Sequence, residues 1–209
     1  ESAAVCRDLC REAAAKPFDL RRGPLICAGL LMLGDSGERQ EAVLMLTMHH
    51  IVSDGWSAEV LVKEFTSLYQ AFSQGQVSPL ADLAIQYADF ACWQRRCLVG
   101  GELERQLDYW RQRLNGASFV LDLPTDRPRP AVMTYRGAGL NFEIPLPLAQ
   151  RVREVGKRHS VTLFMLLLAV FELQLSRYSG QNDICVGTPV ANRNRHEVED
   201  LIGFFVNTL

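Results

Sequence analysis

The sequence has no CxxC pair, no GxxxxGK[ST] loop, no basic run and no apolar stretch of bilayer length. Each absence removes a class of function. The six cysteines are Cys6, Cys10, Cys27, Cys92, Cys97 and Cys185, and none stands at zinc-finger spacing from a histidine. Cys6 and Cys10 lie one helical turn apart, but two side chains do not complete a tetrahedral site. The expectation is reduced thiols, several of them in the core. Without a phosphate-cradling loop there is no ATP site in the chain. Lys and Arg number 22 against 24 Asp and Glu, with no basic stripe for nucleic acid and no acidic tail. The longest apolar run, Leu163 to Phe171, is cut by Glu172, well short of the ~18 residues a membrane span needs. The opening Glu1-Ser2-Ala3 lacks a charged-then-apolar signal pattern. These features predict a soluble, cytoplasmic chain with no membrane and no nucleic-acid partner. There is no internal repeat and no low-complexity tract.

What is present is enough apolar material for a sizeable core, 48% of 209 residues. Ser2 to Ala15 reads as an amphipathic helix, stopped by Lys16-Pro17. Leu25 to Leu33 reads as a strand, and Gly34-Asp35-Ser36-Gly37 as a turn into an antiparallel partner. From Trp56, apolar residues at Val60, Leu61, Phe65, Leu68, Tyr69 and Phe72 fit a helix broken by Gly75 to Pro79. Further helices are expected at Tyr87 to Gln94, Glu102 to Leu114, Leu148 to His159 and Thr162 to Tyr178. The last is apolar nearly all round, which predicts burial, and Thr162 suits its cap. Strands are expected at Gly139 to Ile144 and Asp183 to Val190. Three prolines at 124, 128 and 130 favour a stiff, extended connector.

The stretch that organises the chain is Met48 to Ser57, MHHIVSDGWS. It follows the apolar run Ala42 to Met48, which reads as a buried central strand. Side chains alternate along a strand, so His49 and His50 are expected to face opposite ways. A neutral imidazole at a fixed sheet edge can take a proton from an incoming nucleophile. Divergent neighbours make a poor metal pair, so no metal is expected at His49, His50 and Asp54.

His49-His50-x-x-x-Asp54-Gly55 resembles the HHxxxDG motif of condensation domains of nonribosomal peptide synthetases, relatives of the chloramphenicol acetyltransferases. Other segments are similar to that family in the same order. They are Pro17-Phe18-Asp19-Leu20 with Gly23-Pro24-Leu25, Tyr87 to Gln94 (YADFACWQ), Leu123 to Pro130 (LPTDRPRP), Gly187-Thr188-Pro189 with Arg193, and Ile202 to Thr208 (IGFFVNT). The resemblance implies an α/β fold (an α+β sandwich) of the two-lobe acetyltransferase kind, with both lobes incomplete. Residues 1–118 would be the back of the first lobe, 119–136 the connector and 137–209 the front of the second. As an internal fragment, the chain alone is expected to fold poorly and to be inactive.

The resemblance also implies an activity: amide-bond formation between a donor thioester and the amine of an acceptor aminoacyl thioester. Both would ride on phosphopantetheine arms of upstream and downstream carrier domains, beside an adenylation domain, with no cofactor bound directly. His50 is the catalytic candidate by motif position, as base or as positioning group. His49 is structural, Asp54 braces the turn by pairing with an arginine, and Arg193 is the candidate partner. Gly55 would allow close backbone approach or a positive φ. Tyr87, Phe90 and Trp93 are read as aromatic packing. The alternatives are an epimerisation domain of the same fold, disfavoured by SDGWS, and a non-catalytic carrier-docking module. His49 argues against heterocyclisation, where the first histidine is an aspartate. SDGWS leans towards an L-configured donor.

Overall fold

A computed structural model describes residues 2–35 and 40–209. Its elements run in the order α1 (Ser2–Ala15), β1 (Ile26–Asp35), β2 (Gln40–Met48), α2 (Gly55–Ser73), α3 (Tyr87–Cys97), α4 (Gly101–Arg113), α5 (Leu146–Arg158), α6 (Leu163–Ser179), β3 (Pro189–Val190) and β4 (Asn207–Thr208). The chain folds as two compact units: residues 1–103 with 188–209, and residues 104–187.

In the first unit β1 and β2 form an antiparallel hairpin, with Ile26 opposite Met48 and Leu30 opposite Leu44. Of the expected turn, Gly34 and Asp35 belong to β1, while Ser36 and Gly37 lie outside the described residues. β2 is not a buried central strand here. Its one ladder partner among the described residues is β1, and Leu44 and Leu46 keep 38% and 39% of their surface exposed. The short pair β3 and β4 is also antiparallel, Pro189 opposite Thr208. The chain thus comes back to the first unit after residue 187.

The core of this unit lies between α3 and the returning segment: Phe90, Val198, Leu201 and Phe205, with Ile85 and Tyr87 packed against them. Phe90 and Phe205 sit 4.7 Å apart and tilted, and Tyr87 meets Phe205 edge-on at 5.1 Å. The YADFACWQ segment thus serves aromatic packing, which apolar rings on one helical face favour. A reciprocal cap starts α3: Gln86 N–H donates to Asp89 Oδ2 at 2.8 Å.

The second unit departs from the sequence reading. Residues 139–144 form no ladder among the described residues, and Leu140 and Phe142 stand 88% and 79% exposed. A strand needs a neighbour for its N–H and C=O groups, and none is offered. Asp183 to Val190 likewise gives a strand only at Pro189–Val190. Helix α6 starts as expected, with Thr162 Oγ1 accepting from Met165 N–H at 3.2 Å, but none of its residues is buried. Its apolar surface meets α5 and leaves Phe164, Val170 and Leu173 more than half exposed. No cysteine is buried: all six are free, with Cys27, Cys92, Cys97 and Cys185 exposed. Among the described residues no single helix is long and apolar enough to cross a membrane.

Candidate active site

The sequence-predicted residues gather around the start of α2. Strand pairing runs through Met48, and His49 extends it by one bond, its N–H donating to Leu25 O at 2.9 Å. The chain then enters a single 3-10 turn, His50–Val52. His49 caps this turn, its Nδ1 accepting from Ile51 N–H at 3.0 Å. The histidines are therefore not successive residues of a pleated strand, and period-two alternation does not set their directions. The turn does. His49 meets Phe18 edge-on at 6.0 Å, whereas His50 is exposed and meets Phe204 edge-on at 5.3 Å.

Asp54 follows the turn as N-cap of α2, with extended backbone (φ −130°, ψ −178°). Its Oδ1 accepts from Ser57 N–H at 2.8 Å, placing a carboxylate at the positive end of the helix dipole. Its Oδ2 accepts from Phe205 N–H at 2.9 Å. Arg193 Nη2 lies 3.2 Å from Oδ1, with both side chains essentially sealed from solvent. A buried pair is tolerable only when its remaining groups are also satisfied. Here Arg193 Nη1 donates to Val198 O at 2.6 Å and Leu201 O at 2.7 Å, and Nη2 also donates to Ser57 Oγ at 2.7 Å. The guanidinium carbon stands 4.0 Å from the centre of the Phe205 ring, a cation–π contact. Among the described residues its Nε finds no hydrogen-bond partner.

Burial alone would raise the Asp54 pKa. The Ser57 N–H and hydroxyl, the Phe205 N–H and the Arg193 charge outweigh it and hold the carboxyl at about 2, below its usual 3.8. Asp54 is therefore an anion at neutral pH and cannot serve as an acid there.

The sequence reading assigned no role to Ser57, which is 1% exposed. Its hydroxyl lies 2.7 Å from Asp54 Oδ1 and 2.8 Å from Gly203 O. It accepts from Arg193 Nη2 and from Gly203 N–H at 3.0 Å. With one proton to give and two bonds received, the hydroxyl is fully used. The signal was available in Asp54-x-x-Ser57, the N-cap to N3 spacing. Trp56 Nε1 adds a bond to Glu199 O at 2.8 Å, and the Tyr87 hydroxyl donates to Phe204 O at 2.8 Å. Gly203 is buried, and a Cβ there would overlap the Tyr87 ring. Gly55, in contrast, has no positive φ, and a Cβ there would meet no heavy atom within 4 Å. Close backbone approach within this unit is required at Gly203 instead.

The site is thus an exposed imidazole on a capped turn, standing over a buried, fully charged clamp that ties α2 to residues 193–205. The condensation-domain family matches residues 2–209. The chain belongs to that family. A linear gramicidin synthase of Brevibacillus parabrevis is 49% identical over all 209 residues, which make up 3% of that protein. Among solved structures, the X-domain from teicoplanin biosynthesis superposes with a TM-score of 0.84 at 27% identity, over 97% of this chain and 46% of that one. SgcC5 of Streptomyces globisporus gives 0.74 at 32% identity, over 100% and 46%. The mixed helix-and-sheet architecture is that of the chloramphenicol acetyltransferase-like condensation domains, and this chain spans about half of such a domain.

Proposed function

We propose that this condensation-domain chain carries part of a peptide-bond-forming site, with His50 as the group that handles the amine proton. The observation that supports the reading is the state of His50. It is exposed on a fixed turn, beside a carboxylate locked as an anion by other partners. Of the side chains on this turn, His50, Ile51 and Val52, the imidazole is the one that can accept a proton. In the reaction, the acceptor's amine nitrogen attacks the donor thioester carbonyl, forming the C–N bond. Collapse of the tetrahedral intermediate breaks the C–S bond. The amine proton passes to the imidazole and from there to the departing thiolate of the donor's phosphopantetheine arm, which is part of the substrate. Holding amine and carbonyl together is the larger contribution, able to remove up to about 7–11 kcal/mol of barrier.

His49, Asp54 and Arg193 support this group without touching substrate, and Gly55 enters only as the motif residue that opens α2. The reading keeps the lobe division at 1–118, 119–136 and 137–209, so that Arg193 reaches from the second lobe to brace the first. Upstream and downstream carrier domains and an adjacent adenylation domain are the partners it requires, in the cytoplasm. Its test is single-turnover dipeptidyl transfer between loaded carriers, in the intact protein that carries this chain. His50→Ala is expected to lower the rate by about 10²–10⁴-fold, the range for a lost proton-transfer group. His49→Ala is expected to act mainly on stability. A folded His49→Ala protein with the larger rate loss would refute the assignment.

A further inference from the structure

A catalytic histidine is commonly oriented by a hydrogen bond to its second ring nitrogen. Among the described residues neither nitrogen of His50 has such a partner, and its ring contact is to Phe204. We infer that Phe204 is a positioning residue for His50, an inference that rests on the reading of His50 as proton acceptor. The two rings stand 5.3 Å apart at 86°, the edge-to-face arrangement that aromatic quadrupoles favour. Such a contact restricts the imidazole's rotation without a hydrogen bond to either nitrogen.

Core packing does not account for the Phe204 ring. Gly203 and Phe205 on either side are buried, while Phe204 keeps 40% of its surface exposed. Its backbone, however, is fixed at every step. Gly203 N–H donates to the Ser57 hydroxyl, whose oxygen also lies 2.8 Å from Gly203 O. Phe204 C=O accepts from the Tyr87 hydroxyl, and Phe205 N–H donates to Asp54. Besides the turn that leads into Asp54, this ring joins the segment carrying the clamp to the imidazole.

The test is a double-mutant cycle in the intact protein, read by single-turnover transfer between loaded carriers, with thermal unfolding as the check on folding. Phe204→Ala is expected to slow transfer about tenfold, with half-saturation by acceptor carrier unchanged within about twofold, as for a lost orientation effect. Phe204→Tyr, which keeps the ring, is expected to restore the rate. Phe204→Leu, which keeps apolar bulk and guards against unfolding, is expected to behave as Ala. In a His50→Ala background, Phe204→Ala should cost nothing further, because the two act as one unit. An equal loss in both backgrounds would overturn the inference, as would an unchanged rate in Phe204→Ala. The imidazole resonances of labelled His50 should move in Phe204→Ala as the ring current is lost. Unmoved resonances would refute the contact itself. A His50→Ala protein with full rate would instead refute the proton-acceptor reading, and the positioning role with it.

Discussion

Replacing Asp54 by Asn removes a charge while keeping the side chain's shape. The native carboxyl titrates at about 2 against an ordinary 3.8, which at 1.36 kcal/mol per pH unit is about 2.4 kcal/mol. The misplaced amide adds to this effect. The Asn amide would present N–H to either the Phe205 N–H or the Arg193 and Ser57 donors, and Arg193 would be left buried without its counter-charge. Breaking such a pair from one side costs about 3–5 kcal/mol. The most direct assay is native-state amide exchange in the intact protein, read at Ser57 and Phe205, whose N–H groups both donate to Asp54. At about 1.4 kcal/mol per decade, a loss of about 2.4 kcal/mol speeds their exchange roughly fifty-fold. The pH dependence gives the sign independently. A carboxyl with a lowered native pKa adds stability that is fully present above its unfolded value and disappears as pH falls through the native one. The wild-type protein should therefore lose about 2 kcal/mol more than Asp54→Asn between pH 5 and pH 2. Exchange at both amides unchanged within twofold at pH 7, or parallel acid profiles, would show that the carboxylate's charge does not hold the clamp.

Two further variants follow from the same geometry. Ser57→Ala leaves the Gly203 N–H and one Arg193 N–H without their shared acceptor, so a loss of about 1–3 kcal/mol is expected in denaturant unfolding; Ser57→Ala with wild-type stability would mean water replaces the hydroxyl. Gly203→Ala drives a methyl into the Tyr87 ring, whose Cε2 would lie 2.8 Å away. An overpacking cost of about 1–3 kcal/mol is expected by thermal unfolding, together with altered Tyr87 fluorescence or ring resonances.

The site was legible where residue type and spacing carry the chemistry. Asp54 and Arg193 are 139 residues apart in sequence, yet the family's order of motifs paired them as candidates, and the structure has them 3.2 Å apart. Local signals also served well: Thr162 caps α6, and the two apolar runs around residue 36 form a hairpin. The errors share one cause, which is that periodicity does not say where a strand ends or what lies beside it. The His49–His50 alternation failed because a capped turn begins at that point. Residues 139–144 have strand-like composition but no ladder partner among the described residues, and α6 has core-like composition but no buried residue. Ser57 and Phe204 were missed because their partners, Gly203 and His50, are distant in sequence.

The Asp54–Arg193 contact closes a loop of 139 residues, and that length has a consequence in time as well as in energy. Loop-closure entropy grows only as the logarithm of length, so doubling the intervening chain would cost about 0.6 kcal/mol. Insertions or deletions between α4 and β3 should thus be nearly free for the clamp. Synthesis is less forgiving. At roughly 5–20 residues per second, Asp54 leaves the ribosome about 7–28 s ahead of Arg193. Throughout that interval the carboxylate has only its own helix start to satisfy it. The surroundings of His50 are assembled when the returning segment arrives, so a ribosome that stalls before residue 193 releases a chain bearing the histidine motif without the clamp that organises it.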